Sequence, residues 1–244
     1  DPQLRKEIVA LLAGNPPWGG VLLSKLGDPS LDPDLRVKVM DGLAALRPLT
    51  PSELSMQIHA LGAVGRSAEA RILWLKSLPN DQRALGEAVF DGDFEEAEPI
   101  GGEFAWTWDS GAGVDLSLEG GQAASGNQWL RIDFSGRAIA LSAPSQRLVL
   151  PTGHYVLSSA FQDRTNASRP FMLSVTCSSG GLLGRVELAA GKADAWKRVQ
   201  SEFDVPAGCA EQRLSLAFSA RSRADAQIAG VLRLDDVAIR NSLP

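Results

Sequence analysis

The 244-residue chain contains no run of about 18 apolar residues, so no helix able to cross a bilayer is expected in it. It has two histidines and two cysteines. Cys177 and Cys209 form no CxxC pair and have no histidine close by, which excludes the common zinc motifs. GxSxG, P-loop, GxGxxG and HExxH patterns are all missing. His59 and His154 have no serine or cysteine partner suggested by spacing. The many acids could in principle include a glycosidase pair, but nothing singles one out, and the expectation is a protein that is not an enzyme. Basic residues are also missing over a long stretch: none occurs between Arg83 and Arg131, where ten acids fall. With a net charge of −5, that balance argues against nucleic acid, whose phosphates require a basic footprint. It permits a hard cation such as calcium, which takes oxygen ligands. The chain starts at Asp1 with no methionine or leader, and is expected to be a piece of a longer protein.

What the chain does have divides near residue 88. Residues 1–87 read as helices. Leu4, Ile8, Leu11 and Leu12 fall at helical spacing before Gly14, and a short helix follows over 18–26. Asp32 caps a third helix with the stripe Leu35, Val39, Leu43 and Leu46. Thr50, Pro51 and Glu53 form a capping-box signature for a fourth, with Leu54, Ile58 and Leu61 on its face. Beyond Gly65, a fifth helix carries Ala70, Leu73, Trp74 and Leu78.

Residues 54–79, LSMQIHALGAVGRSAEARILWLKSLP, resemble one tetratricopeptide repeat. The matching positions are the Gly65 turn, small Ala70, aromatic Trp74 one turn on, and small Ser77. Gln57 and Ile58 depart from the pattern, which usually has a large apolar residue followed by a small one. The resemblance implies a repeat-like array that docks a protein partner, because one repeat cannot bury its own face.

From residue 88 the period falls to two. Strands are expected over 89–95, 104–109, 113–118, 128–135, 137–142, 145–150, 154–163, 171–178, 182–189, 196–205, 212–220 and 230–240. Gly- and Pro-rich turns separate them, the pattern of an antiparallel sandwich or barrel. Phe90 and Phe94 should enter the core. Cys177 and Cys209 either pair, in an oxidising compartment, or stand as two separate buried thiols.

The ordered series FDGDFE, a Trp-bearing second strand, LPTGHYVLSSAFQ, AWKRVQSEFDVP and a final LRLDDVAIR resembles the jelly-roll, galactose-binding-like carbohydrate-binding modules. The fold class expected for the whole is therefore multidomain α and β: a helical repeat-like array over 1–87, then an antiparallel jelly-roll β-sandwich over 88–244. The resemblance implies non-catalytic binding of a polysaccharide or oligosaccharide. Proteins that join the two parts resemble bacterial cell-envelope proteins, which implies a periplasmic or secreted location. An alternative reading is an interaction scaffold of the envelope whose sandwich is structural.

Sugars present an apolar C–H face and many hydroxyls, so their sites combine aromatic rings with a few polar side chains. Trp106, Trp108 and Trp129 are the foremost candidates, with Trp196 beside them and Arg164, Asn166, Gln162 and Asp163 at the end of a strand. For each tryptophan the competing reading is core packing, and Tyr155 reads as core by its register. Asp235 is in register with Val237 and Ile239, on a face expected to be buried, where a lone carboxylate is costly. In the resembling modules, the last strand and the start of the first supply a structural calcium site. Carried over, that implies Glu95 and Asp235 as metal ligands.

Overall fold

The computed structural model describes residues 1–28, 30–83, 88–96, 102, 104–108, 110–111, 113–139, 144–189, 195–218 and 220–242. They form two compact units, Asp1–Leu78 and Pro79–Pro244. The division falls before the 87/88 boundary expected from composition, and residues 84–87 lie outside the described set.

The first unit holds α1 (Pro2–Ala13), α2 (Gly19–Lys25), α3 (Pro33–Leu46), α4 (Pro51–Ala63) and α5 (Ser67–Ser77). Their starts follow capping chemistry. The Asp1 side chain accepts from Gln3 and Leu4 N–H, and Asp32 accepts from Asp34 N–H. Thr50 Oγ1 accepts from Glu53 N–H at 3.3 Å while Glu53 Oε2 accepts from Thr50 N–H at 2.8 Å, completing a capping box. Arg47 closes on the same carboxylate at 2.7 and 2.8 Å.

Val9, Leu12, Leu23, Val39, Met40 and Leu43 make the core of this unit. The stripe expected on α1 is rotated: Leu4 and Leu11 are exposed, whereas Val9 and Leu12 are buried. The cause lies on α3. Gly42 offers bare backbone, and Val9 packs so tightly against it that a Cβ there would sit 3.2 Å from Val9 Cγ1. That contact turns Val9 inward and Leu4 and Leu11 outward. Leu46, expected on the α3 stripe, is exposed as well.

The second unit begins with a single turn, α6 (Asn80–Arg83), and continues as β1 (Val114–Gly120), β2 (Gln128–Ala138), β3 (Ser145–Leu148), β4 (Gly153–Asp163), β5 (Phe171–Cys177), β6 (Leu182–Leu188), β7 (Lys197–Val205), β8 (Gln212–Ala217) and β9 (Gln227–Asn241). Two antiparallel sheets result, ordered β1-β2-β9-β4-β7 and β3-β8-β5-β6. Their inner faces share one core, with Phe94, Leu130, Ile132, Leu157, Phe161, Phe171, Leu173 and Leu216 among its buried members. Cys177 and Cys209 are joined in a disulfide that ties the end of β5 to the turn before β8.

Three expected strands differ. Residues 89–95 form a turn: Asp91 and Phe94 have φ of 48° and 54°, and Asp91 Oδ1 accepts from Glu95 and Glu96 N–H. A short acceptor side chain caps the local turn more directly than a neighbouring strand could. The buried Gln146 amide clamps Phe90 by both backbone groups, at 2.9 and 2.8 Å. Phe90 and Phe94 are nonetheless buried. Residues 104–108 are not a strand either; they make one isolated bridge, Thr107 to Ser145, and Asp109 lies outside the described residues. Of the strand expected at 137–142, residues 137–138 continue β2 and 140–142 lie outside the described set.

Candidate functional site

Along β2, Leu130, Ile132 and Phe134 enter the core. Strand alternation therefore turns Trp129, Arg131 and Asp133 to the outer face of the five-stranded sheet. Leu232 and Leu234 enter the core from β9 and Phe161 from β4, which places Arg233 and Gln162 on that outer face too. Pairing aligns them in rows. Ser117, Arg131, Arg233 and Gln162 are successive cross-strand partners, and Glu119 pairs with Trp129 in the next row.

Two arginines directly opposite each other repel unless a carboxylate lies between them. Glu119 supplies it. It accepts from Arg131 Nη1 at 3.2 Å, from Arg233 Nη2 at 3.2 Å and from Trp129 Nε1 at 3.1 Å. Asp133 holds the other edge of Arg131 at 2.8 Å, and Gln162 Oε1 accepts from Arg233 Nη1 at 3.0 Å. The Arg233 guanidinium lies 5.0 Å over the Trp129 ring. Trp196 meets Trp129 edge-on at 5.9 Å and is half-buried. Trp129 itself is only 5% exposed, so it forms the floor beneath Arg233 and Trp196. Desolvation pushes the Glu119 carboxyl upward, but Arg233, the Trp129 N–H and Arg131 outweigh it and hold it below its ordinary range. Asp133 is lowered by its hydrogen bond with Arg131. Glu119 and Asp133 are thus held as acceptors of the neighbouring donors.

The other sequence candidates are dispersed. Trp106 is 6% exposed; it stacks near Phe94 at 5.3 Å and donates to Asp91 O at 3.0 Å. Trp108 is half-buried against the same core, beside Phe90, Asp91 and Leu118. Arg164 and Asn166 extend the β4–β9 ladder past the end of β4, donating their N–H groups to Val231 O and Ala229 O. The Asn166 side chain accepts from Ala229 N–H, which commits its oxygen to the backbone. Arg164 is exposed and continues the outward parity of Gln162. Tyr155 is buried and donates to Pro151 O. Asp163 is buried, with Oδ1 accepting from Thr165 N–H.

Asp235 does not share the face of Val237 and Ile239. A register shift in the β4–β9 ladder, with Asp236 at φ 46°, interrupts the alternation, and Asp235 takes the parity of Arg233. It is completely buried beneath the loop 121–127. Its Oδ2 accepts from Ala124 and Ser125 N–H at 2.7 and 3.0 Å, and its Oδ1 from Asp236 N–H at 2.6 Å. Burial pushes its carboxyl up to about 6 against the pull of those amides, with Asp93 and Glu95 adding to the rise. Glu95 Oε1 accepts from Asn127 and Gln128 N–H at 2.6 and 2.8 Å. A calcium ion at these acids would have to displace the amide donors. Among the described residues no three acidic, histidine or cysteine side chains converge as a cage. The donor set present does not fit the calcium site the resemblance implies.

Glu119, Arg131, Asp133 and Arg233 went unnoticed in the sequence. The signal was present: in VDLSLEG, QWLRIDF and VLRLDD, polar residues alternate with core residues, which puts them on one face.

No protein-family model matches the chain, and no curated protein is significantly similar to it. Solved structures do superpose on part of it. The TmCBM61 module, solved with beta-1,4-galactotriose, is 15% identical over 64% of this chain and 99% of its own, with a TM-score of 0.45. A CBM4 module is 16% identical over 63% and 99%, also at 0.45. A cyclase from Fischerella sp. TAU is 12% identical over 63% and 94%, again at 0.45.

Proposed function

We propose that the second unit is a non-catalytic carbohydrate-binding module, with a jelly-roll sandwich, whose site is the outer face of its five-stranded sheet. The observation that carries this reading is the convergence of Trp129, Trp196, Arg131, Arg233, Glu119 and Gln162 on one face. An indole and guanidinium planes offer stacking for a sugar's C–H face. The carboxylate and amide oxygens accept from its hydroxyls. The ligand would be a polysaccharide or oligosaccharide lying across the strands. A structural calcium ion is not part of this reading.

The first unit, with its tetratricopeptide-like pair α4–α5, is proposed to dock a protein partner. Leu4, Leu11, Trp18, Val21 and Ile72 expose apolar surface there, and α3, α4 and α5 border a crevice of about 250 Å³. That same surface favours the second reading, an envelope scaffold whose sandwich is structural. The disulfide fits an oxidising compartment, and no helix among the described residues is long and apolar enough to cross a membrane. The proposed location is a bacterial cell envelope, periplasmic or secreted.

Affinity electrophoresis through gels containing neutral xylan, β-1,4-galactan, mixed-linkage β-glucan or polygalacturonate tests the module. Retardation by at least one polysaccharide, abolished in Trp196→Ala and Arg233→Ala, is expected. Unretarded wild-type protein in every gel, with no change in tryptophan emission at millimolar oligosaccharide, leaves the scaffold reading.

A further inference from the structure

The loop 121–127 is built from Gly, Gln, Ala, Ala, Ser, Gly and Asn. It has no large apolar side chain with which to anchor itself by packing, so hydrogen bonds must set its position. From beneath, two acids hold it: Asp235 through the Ala124 and Ser125 amides, Glu95 through the Asn127 and Gln128 amides. Glu95 O also accepts from Gln128 Nε2 at 3.0 Å. The loop's carbonyls point the other way. Gln122 O accepts from Trp196 Nε1 at 2.9 Å, and Ala124 O accepts from Arg198 Nη2 at 3.1 Å. Arg198 also pairs with Asp236. A single residue, Ala124, thus donates its N–H to a buried acid and offers its C=O to a side chain of the binding face.

We infer that Asp235 and Glu95 are positioning residues for the sheet-face site: they fix the loop 121–127, and the loop fixes Trp196 and Arg198. The mechanical link stands on the geometry alone; that it controls sugar affinity rests on the function proposed above. The acids that resemble metal ligands take backbone amides in this chain. Asp235 uses both oxygens for three N–H groups. An asparagine offers one oxygen and turns an NH2 toward an N–H, so at least one bond is replaced by a repulsive contact.

The test uses the full chain, ¹⁵N-labelled, as wild type, Asp235→Asn and Glu95→Ala. The indole N–H resonances are assigned by single Trp→Phe changes. In the folded variants the Trp196 indole signal is expected to shift or broaden while those of Trp18 and Trp74 stay in place. Exchange of the Ala124 and Ser125 amides in Asp235→Asn should accelerate about tenfold or more, the equivalent of losing one buried acceptor. Retardation by whichever polysaccharide binds the wild type should fall by a similar factor at temperatures where circular dichroism is native. An unmoved Trp196 signal with unchanged amide exchange overturns the link. A shifted Trp196 signal with wild-type retardation overturns the positioning role. A shifted signal where the wild type is retarded by none of the four polysaccharides supports the link and counts against the sugar reading instead. Should Asp235→Asn fail to fold, Glu95→Ala, which removes the oxygen that both amides share, decides by the Trp196 signal and by exchange at Asn127 and Gln128.

Discussion

Glu53→Gln isolates one charge in the helical unit. Glutamine retains the reciprocal capping geometry, because its side-chain oxygen can still accept from Thr50 N–H. What it removes is the ion pair with Arg47, whose hydrogen bonds hold the buried Glu53 carboxyl down to about 2 from an ordinary 4.5. At about 1.4 kcal/mol for each factor of ten, that lowering corresponds to roughly 3.5 kcal/mol of native-state preference for the ionised form. The sign follows from the depression: the contribution is complete above about pH 4.5 and is lost as pH falls toward 2. Chemical unfolding followed at 222 nm should show the variant less stable by about 3 kcal/mol at pH 6, an upper figure since Gln recovers part of the bonding. Near pH 3.3 the gap should narrow to about 2 kcal/mol or less. Equal stabilities at pH 6, or a gap of constant size down to pH 3, would refute the assignment of that energy to the Arg47–Glu53 pair.

Three further outcomes are expected. Gly121 has φ 152°, and a Cβ on it would lie 2.8 Å from Trp129 Cη2, so Gly121→Ala should cost about 1–3 kcal/mol and alter the near-ultraviolet circular dichroism of Trp129; an unchanged spectrum would show that the ring is not packed there. Gln146→Ala removes both partners of the Phe90 backbone in a buried setting and should lower stability by about 2–4 kcal/mol in urea titrations, with a loss under 1 kcal/mol counting against the clamp. Replacing Cys177 and Cys209 by serine opens a loop of sequence separation 32, which chain entropy values at about 3–4 kcal/mol; the double variant should melt well below the oxidised protein and no lower than the reduced one.

The helices were legible because their determinants are local. Asp32, Thr50 with Glu53, and Gly65 each act within one turn of chain, and α3, α4 and α5 begin where those residues place them. Most strands were legible for the same reason, since alternation in β4, β5 and β8 and the Gly-rich turns are properties of short windows. Failure came where a partner distant in sequence outcompeted the local pattern. FDGDFE alternates like a strand, yet Gln146, 56 residues from Phe90, clamps its backbone while Asp91 caps a turn. Leu4 and Leu11 have the spacing of a core stripe, but Gly42 on another helix decided which side of α1 is buried.

The site divides in the same way. Alternation alone puts Trp129, Arg131 and Asp133 on one strand face, and nothing more is needed to predict that. That Arg233 and Gln162 stand beside them depends on β9 lying between β2 and β4, a pairing of segments far apart in the chain. A bulge that no local pattern announces reverses the side on which Asp235 lies. Trp106 and Trp129, alike as letters, were separated only by tertiary packing: one was drawn into the core against Phe94, the other laid under a guanidinium on the sheet's outer face. Local chemistry settles which elements form. Long-range register settles which side chains meet, because hydrogen bonds and burial across strands outweigh the weak preferences of any single segment.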